Sequence, residues 1–172
     1  AGKSTTMKIL TCSLAPTSGT ASIAGSDIQA DPIGVRRNVG FLPEQVTLYR
    51  EQKVRSLLRF VADIKNVPTD RRDEEVDRVI ERTGLAAMAE RACGHLSHGY
   101  RKRVGLAQAL IGDPDVLILD EPSSGLDPQQ IVEIRELVRS FRGKRTVLLS
   151  SHILSEVSEI CERVLILDHG RL

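Results

Sequence analysis

Two adjacent carboxylates follow a run of aliphatic residues late in the chain. The unbroken aliphatic run from Val116 to Leu119 predicts a strand that is buried on both faces of a parallel sheet. The strand ends on Asp120 and Glu121, at the edge where open α/β sheets place their ligands. Side chains alternate along a strand, so we expect the two carboxylates to point to different sides and to have different roles. The alternative is a strand end with two solvated acids before a turn at Pro122.

The first residues of the chain carry part of a phosphate-binding pattern. Gly2, Lys3, Ser4 and Thr5 form the second half of G-x-x-x-x-G-K-[ST], and the first half would lie before Ala1. At such a helix start the backbone N–H groups and the dipole favour an anion, Lys3 would reach the β- and γ-phosphates, and the Ser4 hydroxyl would ligate magnesium. A chance G-K-S-T sequence at a helix start is the alternative. We expect a longer domain of which this is the interior, and our hypothesis is that the chain by itself is inactive.

Strands and helices alternate around these groups. The patterns predict strands at 21–24, 39–42, 116–119, 146–149 and 164–167, and helices at 2–14, 97–110, 127–142 and 153–161. Ser97 and Asp127 are predicted N-caps. The block from about Arg50 to Cys93 contains only helix patterns. We therefore expect an α/β fold, a mostly parallel sheet flanked by helices, with an inserted helical subdomain.

Further polar residues stand where strands end or helices begin. Glu44 follows the strand at 39–42, and Ser97 with Gly99 opens a helix that could bind an anion. His152 follows the strand at 146–149 and shares a sheet edge with the carboxylates. The alternatives are a solvated loop, an ordinary capped helix and an exposed histidine. We interpret the basic run 101–103 as a solvated face.

The composition excludes several classes of protein. A net charge of +1 gives no electrostatic reason to expect nucleic acid or an anionic membrane surface as a partner. No apolar run approaches the roughly 20 residues that span a bilayer. Cys12, Cys93 and Cys161 are odd in number and have no metal-ligand spacing, which is typical of reduced thiols in a cytosol.

In their order along the chain these motifs resemble the nucleotide-binding domain of ABC transporter ATPases, over essentially all 172 residues. The matching motifs are a phosphate loop at 2–5, a Q-loop region at Glu44, a signature at 96–100, a Walker B strand ending at Asp120 and Glu121, a D-loop at 124–127 and a switch histidine at His152. Residues 42–49 and 105–110 are similar to single-domain ATPases of prokaryotic export-type transporters, in particular the gliding-motility-associated type.

The resemblance implies a P-loop NTPase fold that binds ATP and Mg²⁺. It implies a RecA-like core at 1–44 and 113–172 and a helical subdomain at 45–112. In the family pattern Asp120 would hold magnesium, Glu121 would be the general base, and His152 would contact the γ-phosphate. Asp127 would link the two sites of a dimer.

The resemblance also implies partners. Ser97 and Gly99 would contact ATP bound to a second nucleotide-binding domain in a head-to-tail dimer. Transmembrane permease subunits would hold the domain at the cytoplasmic side of the inner membrane, and ATP hydrolysis would energise transport, with export favoured. A non-transport ABC-type ATPase and a nucleotide-binding regulatory module are the alternatives.

The sequence departs from the family pattern at two motifs. Glu44 stands where the Q-loop usually has glutamine, and because Gln45 is next to it, either residue could be the sensor. In the signature, His98 replaces a glycine and Tyr100 replaces a glutamine.

Overall fold

The helices and strands follow the predicted alternation. The computed structural model describes residues 2–171, so Ala1, directly before the predicted phosphate loop, and Leu172 lie outside the described residues. The helices are α1 (Lys3–Leu10), α2 (Pro32–Asn38), α3 (Val54–Ile64), α4 (Arg72–Arg82), α5 (His98–Leu110), α6 (Pro128–Arg139) and α7 (Leu154–Ile160). The strands are β1 (Ser22–Ile23), β2 (Ser26–Asp27), β3 (Val39–Leu42), β4 (Val116–Asp120) and β5 (Thr146–Ser150).

The sheet that carries the two carboxylates is parallel, with the strand order β3–β4–β5. Its register sets Leu42 beside Leu119, and Asp120 beside Ser150. Parallel neighbours need long crossovers. The crossover from β3 to β4 contains α3, α4 and α5, and the crossover from β4 to β5 contains α6. The predicted mostly parallel sheet with flanking helices is therefore confirmed.

Strand β4 is buried on both faces, as its aliphatic run predicts. Ile118 packs with Met7 of α1 on one face, whereas Leu117 and Leu119 belong to a larger apolar cluster with α3, α4 and α5 on the other. Because side chains alternate along a strand, Asp120 shares the α1 face with Ile118. This register brings the last residue of β4 to the side of the predicted phosphate loop.

Helix α5 lies directly against β3 at Gly40. A Cβ atom at this position would overlap the carbonyl oxygen of Ala109 in α5. Only glycine permits so close an approach of the two backbones. The helix that begins at the signature therefore packs closely on the sheet.

One predicted strand is not found within residues 2–171, and two helices end earlier than predicted. Residues 164–167 were expected to form a strand, but they pair with no strand in the described chain, and Leu165 is 70% exposed. The prediction was wrong because an apolar run forms a strand only where a neighbouring edge accepts its hydrogen bonds. Helix α1 ends at Leu10 rather than near Leu14, and α6 ends at Arg139, before Gly143.

The strand expected at 21–24 is half of a short antiparallel hairpin formed by β1 and β2. Within residues 2–171 we find no helix with the length and apolar character needed to cross a membrane.

Candidate functional site

The phosphate end of the site is the N-terminus of α1. The helix begins at Lys3, and its N-cap residue Gly2 has a φ of 109°, a backbone conformation that glycine adopts readily. Among the described residues no side chain caps this terminus, so the first-turn N–H groups are available to an outside acceptor. The Lys3 Nζ donates to the backbone oxygen of Ser151 at 3.1 Å, across the sheet edge. Ser4 and Thr5 lie in this first turn.

Asp120 is the buried carboxylate of the site. It is the last residue of β4 and is 3% exposed. The Ser150 hydroxyl, next to it on β5, donates to Asp120 Oδ1 at 2.6 Å. The other carboxylate oxygen has no hydrogen-bond donor in the part of the chain that the structure describes. A carboxylate with one oxygen left over is the ligand type that Mg²⁺ prefers.

Glu121 has different surroundings, as predicted, but for a different reason. It follows the strand with a φ of 48°, in the left-handed region that costs a non-glycine residue about 1–3 kcal/mol. This backbone turn, rather than strand alternation, sets the direction of its side chain. The carboxylate accepts from Lys3 Nζ at 3.4 Å and lies 2.8 Å from His152 Nδ1. Strained backbone of this kind is concentrated at functional sites.

The signature residues and the D-loop pack against each other. Ser97 caps α5 by accepting from the Tyr100 N–H at 3.4 Å, and Asp127 caps α6 by accepting from the Gln130 N–H at 2.9 Å, which confirms both predicted N-caps. Gly99 is buried, and a Cβ atom there would overlap the Gln130 side chain.

His98, the residue in place of a signature glycine, reaches the D-loop. Its Nε2 donates to the Ser124 carbonyl at 3.2 Å. No hydrogen bond or ion pair among residues 2–171 joins Ser97, Gly99 or Asp127 to the Lys3–Glu121–His152 group. The structure thus brings together one part of the predicted site and leaves the signature part separate.

The basic run after the signature is not a solvated face, so that interpretation was wrong. Only Arg101 is exposed. Arg103 pairs with Glu133 and donates to the Thr83 carbonyl. Lys102 is 2% exposed, and burial lowers the pKa of its ammonium group, while the nearby acidic side chains act in the opposite direction.

The buried Lys102 connects two predicted regions. Its Nζ donates to the backbone oxygen of Glu44 at 2.6 Å and to that of Glu121 at 3.0 Å. The side chains of Glu44 and Gln45 are exposed. Gln45 and Lys102 line a half-open cavity of about 240 Å³ together with His98.

Lys102 and Ser150 contact the site, and neither residue was predicted from the sequence to belong to it. Lys102 precedes Leu106 by four residues, so helical spacing could have placed it on the buried face of α5. Ser150 is a hydroxyl residue at the end of an apolar strand, which is a weaker signal.

These features define a class of protein. An uncapped helix terminus led by glycine and lysine meets two carboxylates and a histidine at the carboxyl edge of a parallel sheet. This arrangement fits a phosphate-bearing ligand with Mg²⁺ and is that of a P-loop nucleotide-binding domain.

Comparison with known proteins identifies the family. A family model described as ABC transporter matches residues 1–124. Over 172 residues the chain is 36% identical to human retinal-specific phospholipid-transporting ATPase ABCA4, of which it covers 8%. Over its whole length it is 34% identical to YxlF of Bacillus subtilis (strain 168), described as an uncharacterized ABC transporter ATP-binding protein, of which it covers 57%.

A solved structure gives the same result. CbiO1 from Clostridium perfringens, part of the ABC transporter complex cbiONQ, superposes with a TM-score of 0.80 at 29% identity, over 93% of this chain and 66% of that one. The chain belongs to the ABC transporter family, in its ATP-binding domain.

Proposed function

We propose that this chain binds and hydrolyses ATP with Mg²⁺ and energises an ABC transporter. The observation that carries the proposal is the placement of the Glu121 carboxylate between Lys3, at 3.4 Å, and His152, at 2.8 Å. A cation for the phosphates, a base for water and a histidine thus form one group beside an uncapped helix terminus. Phosphoryl transfer depends on positioned charges of this kind rather than on covalent catalysis.

The phosphate end would bind the nucleotide through residues 2–5. The N–H groups at the start of α1 and the Lys3 ammonium would contact phosphate oxygens. Ser4 and Asp120 would hold Mg²⁺, which supplies charge neutralisation when it is bound. Lys3 would leave Glu121 for the phosphates, so that the carboxylate becomes free to accept a proton.

Glu121 would act as the general base for the attacking water. Its side chain is 13% exposed, so the carboxylate is shielded from bulk solvent but still reachable. The His152 side chain is 65% exposed, and its ring would contact the γ-phosphate and orient the water. Either Glu44 or Gln45 would sense the nucleotide from the Q-loop.

A second copy of the domain would complete each site. Within residues 2–171 no hydrogen bond or ion pair joins Ser97 or Gly99 to Lys3, Glu121 or His152. We propose a head-to-tail dimer, in which these two residues contact ATP bound to the other protomer. Asp127, which lies at the start of α6 beside the signature, would link the two sites across the dimer.

The transport role is part of the same proposal. The chain spans only part of the length of its relatives. On the basis of family membership we also propose permease subunits as partners, a peripheral position at the cytoplasmic side of the inner membrane, and export as the direction of transport. We also propose the division into a core at 1–44 and 113–172 and a helical subdomain at 45–112. The packing of α3 against α4 supports it, whereas α5 packs mainly against β3 and would join the subdomain to the core.

A complementation experiment in the complete protein tests hydrolysis and the shared site together. Lys3→Met disables the phosphate end, and Ser97→Asp preserves an N-cap while adding a negative charge where the signature meets phosphate. Each variant alone should be inactive. In an equal mixture, half of the dimers would be mixed and each would keep one intact site, so about a quarter of the wild-type rate should return.

Each outcome has a distinct meaning. A wild-type protein that binds ATP without hydrolysing it would support the regulatory-module alternative. An active wild type whose two variants stay inactive on mixing would refute the shared site. A preparation of either variant alone, at the total concentration of the mixture, is the control.

A further inference from the structure

Glu121 needs external support for its backbone conformation. It is a non-glycine residue with a φ of 48°, directly after the last residue of β4. The direction of its carboxylate depends on this turn. Two buried side chains contact its backbone, one on each side.

Ser150 contacts the N–H side. It is 4% exposed, and its Oγ accepts from the Glu121 N–H at 3.0 Å while donating to Asp120 Oδ1 at 2.6 Å. A hydroxyl has one proton to donate. The carboxylate oxygen of Asp120 can only accept a hydrogen bond, and the Glu121 N–H can only donate one, so the direction of both bonds is fixed. One hydroxyl therefore connects the Asp120 side chain to the Glu121 backbone.

Lys102 contacts the carbonyl side. Its Nζ donates to the Glu121 oxygen at 3.0 Å and to the Glu44 oxygen at 2.6 Å. Within residues 2–171 it forms no salt bridge with a carboxylate. Burying an ammonium group is costly, and the two oxygens that compensate this one belong to Glu44 and Glu121, both residues of the predicted site.

We propose that Lys102 and Ser150 are positioning residues that clamp the backbone of Glu121 and thereby aim its carboxylate for the reaction. The inference rests on the proposed function of Glu121. The Glu44 carbonyl anchors the other side of the Lys102 ammonium group, so the clamp spans from the end of β3 to the end of β5.

The test compares Lys102→Met and Ser150→Ala with the wild type in the complete protein. We expect kcat for ATP hydrolysis to fall about 10- to 100-fold, because a small misplacement of a catalytic group has effects of this size. In Lys102→Met the Kd for ATP should stay within about threefold, because Lys3, the α1 terminus and the contact between Ser150 and Asp120 are untouched. Lys102→Gln keeps a hydrogen-bond donor without the charge, so its kcat should lie between those of Lys102→Met and the wild type. This variant replaces Lys102→Met in the test if Lys102→Met does not fold.

Lys65→Met is the matched control. Lys65 is a second largely buried lysine, and it donates to a backbone oxygen, that of Ile111, at 2.9 Å, remote from the site. Its replacement should leave kcat unchanged. An equal loss of kcat in Lys65→Met and Lys102→Met would mean that any buried lysine is needed for folding, and would overturn the inference.

A second readout does not depend on hydrolysis. Amide hydrogen exchange at Glu121, followed by NMR, should accelerate at least about tenfold in Ser150→Ala, because the N–H loses its acceptor. If the wild type does not hydrolyse ATP, the proposed function is wrong, but the exchange rate still tests whether Ser150 holds the Glu121 backbone. Unchanged exchange together with an unchanged kcat would refute the clamp alone.

Discussion

Replacement of the proposed general base, Glu121→Gln, separates chemistry from binding. Glutamine keeps the size and hydrogen-bonding shape of the side chain but cannot accept a proton from water. Loss of a general base commonly lowers the rate about 10²- to 10⁴-fold. This corresponds to about 2.7–5.5 kcal/mol in the activation free energy.

The effect on stability should be much smaller than the effect on rate. The variant loses the ion pair with Lys3, whose side chain is 44% exposed, and exposed pairs contribute about 1 kcal/mol or less. The 2.8 Å contact between the Glu121 side chain and His152 can persist with an amide oxygen. The fold should therefore remain intact, and the activity loss cannot be explained by unfolding.

The assay is steady-state ATP hydrolysis beside equilibrium ATP binding and thermal unfolding. We expect near-normal binding and a Tm within a few degrees of the wild type, with kcat reduced by at least about 100-fold. Glu136→Gln is the control, because the Glu136 side chain is 62% exposed and pairs with Arg139 at the surface. Hydrolysis by Glu121→Gln at a near-normal rate would remove Glu121 from the role of base.

Two further predictions concern stability. Burial lowers the pKa of Lys65 to about 8, below the pKa of a lysine in the unfolded chain. Between about pH 8 and 10 the unfolded chain therefore binds more protons than the folded chain. The free energy of unfolding should consequently rise with pH in this window. Lys65→Met should remove about 1–3 kcal/mol of that rise in urea titrations, and identical pH profiles would contradict the assignment. Gly40→Ala should lower the free energy of unfolding by at least about 2 kcal/mol, because the added carbon overlaps a backbone oxygen of Ala109 that no rotamer change can move. Denaturant unfolding measures the loss, and an unchanged midpoint would show that α5 can shift away from the sheet.

Local patterns in the sequence predicted much of the framework. The strand at Val39–Leu42 and the caps at Ser97 and Asp127 were found at the predicted residues. These features depend on side-chain periodicity and on hydrogen bonds within one helical turn, which are encoded by neighbouring residues. The meeting of Lys3 with Glu121 was also predictable, since carboxyl ends of parallel strands share one edge.

Other features were decided only by the tertiary structure. The apolar run at 164–167 has the composition of a strand but pairs with no strand in the described chain. A strand needs hydrogen-bond partners from another segment, and its own sequence does not encode them. Lysine is usually a surface residue, yet Lys102 is buried. Its ammonium group is accommodated by the backbone oxygens of Glu44 and Glu121, two residues that are distant from each other in the sequence.

The direction of the Glu121 carboxylate belongs to the same group of features. Its sequence neighbours predict a strand end, whereas its left-handed backbone is accompanied by contacts from α5 and β5. Sequence alone determined which residues could perform the chemistry and on which edge of the sheet they lie. The fold decided how they are aimed, because aim depends on contacts between segments far apart in the chain.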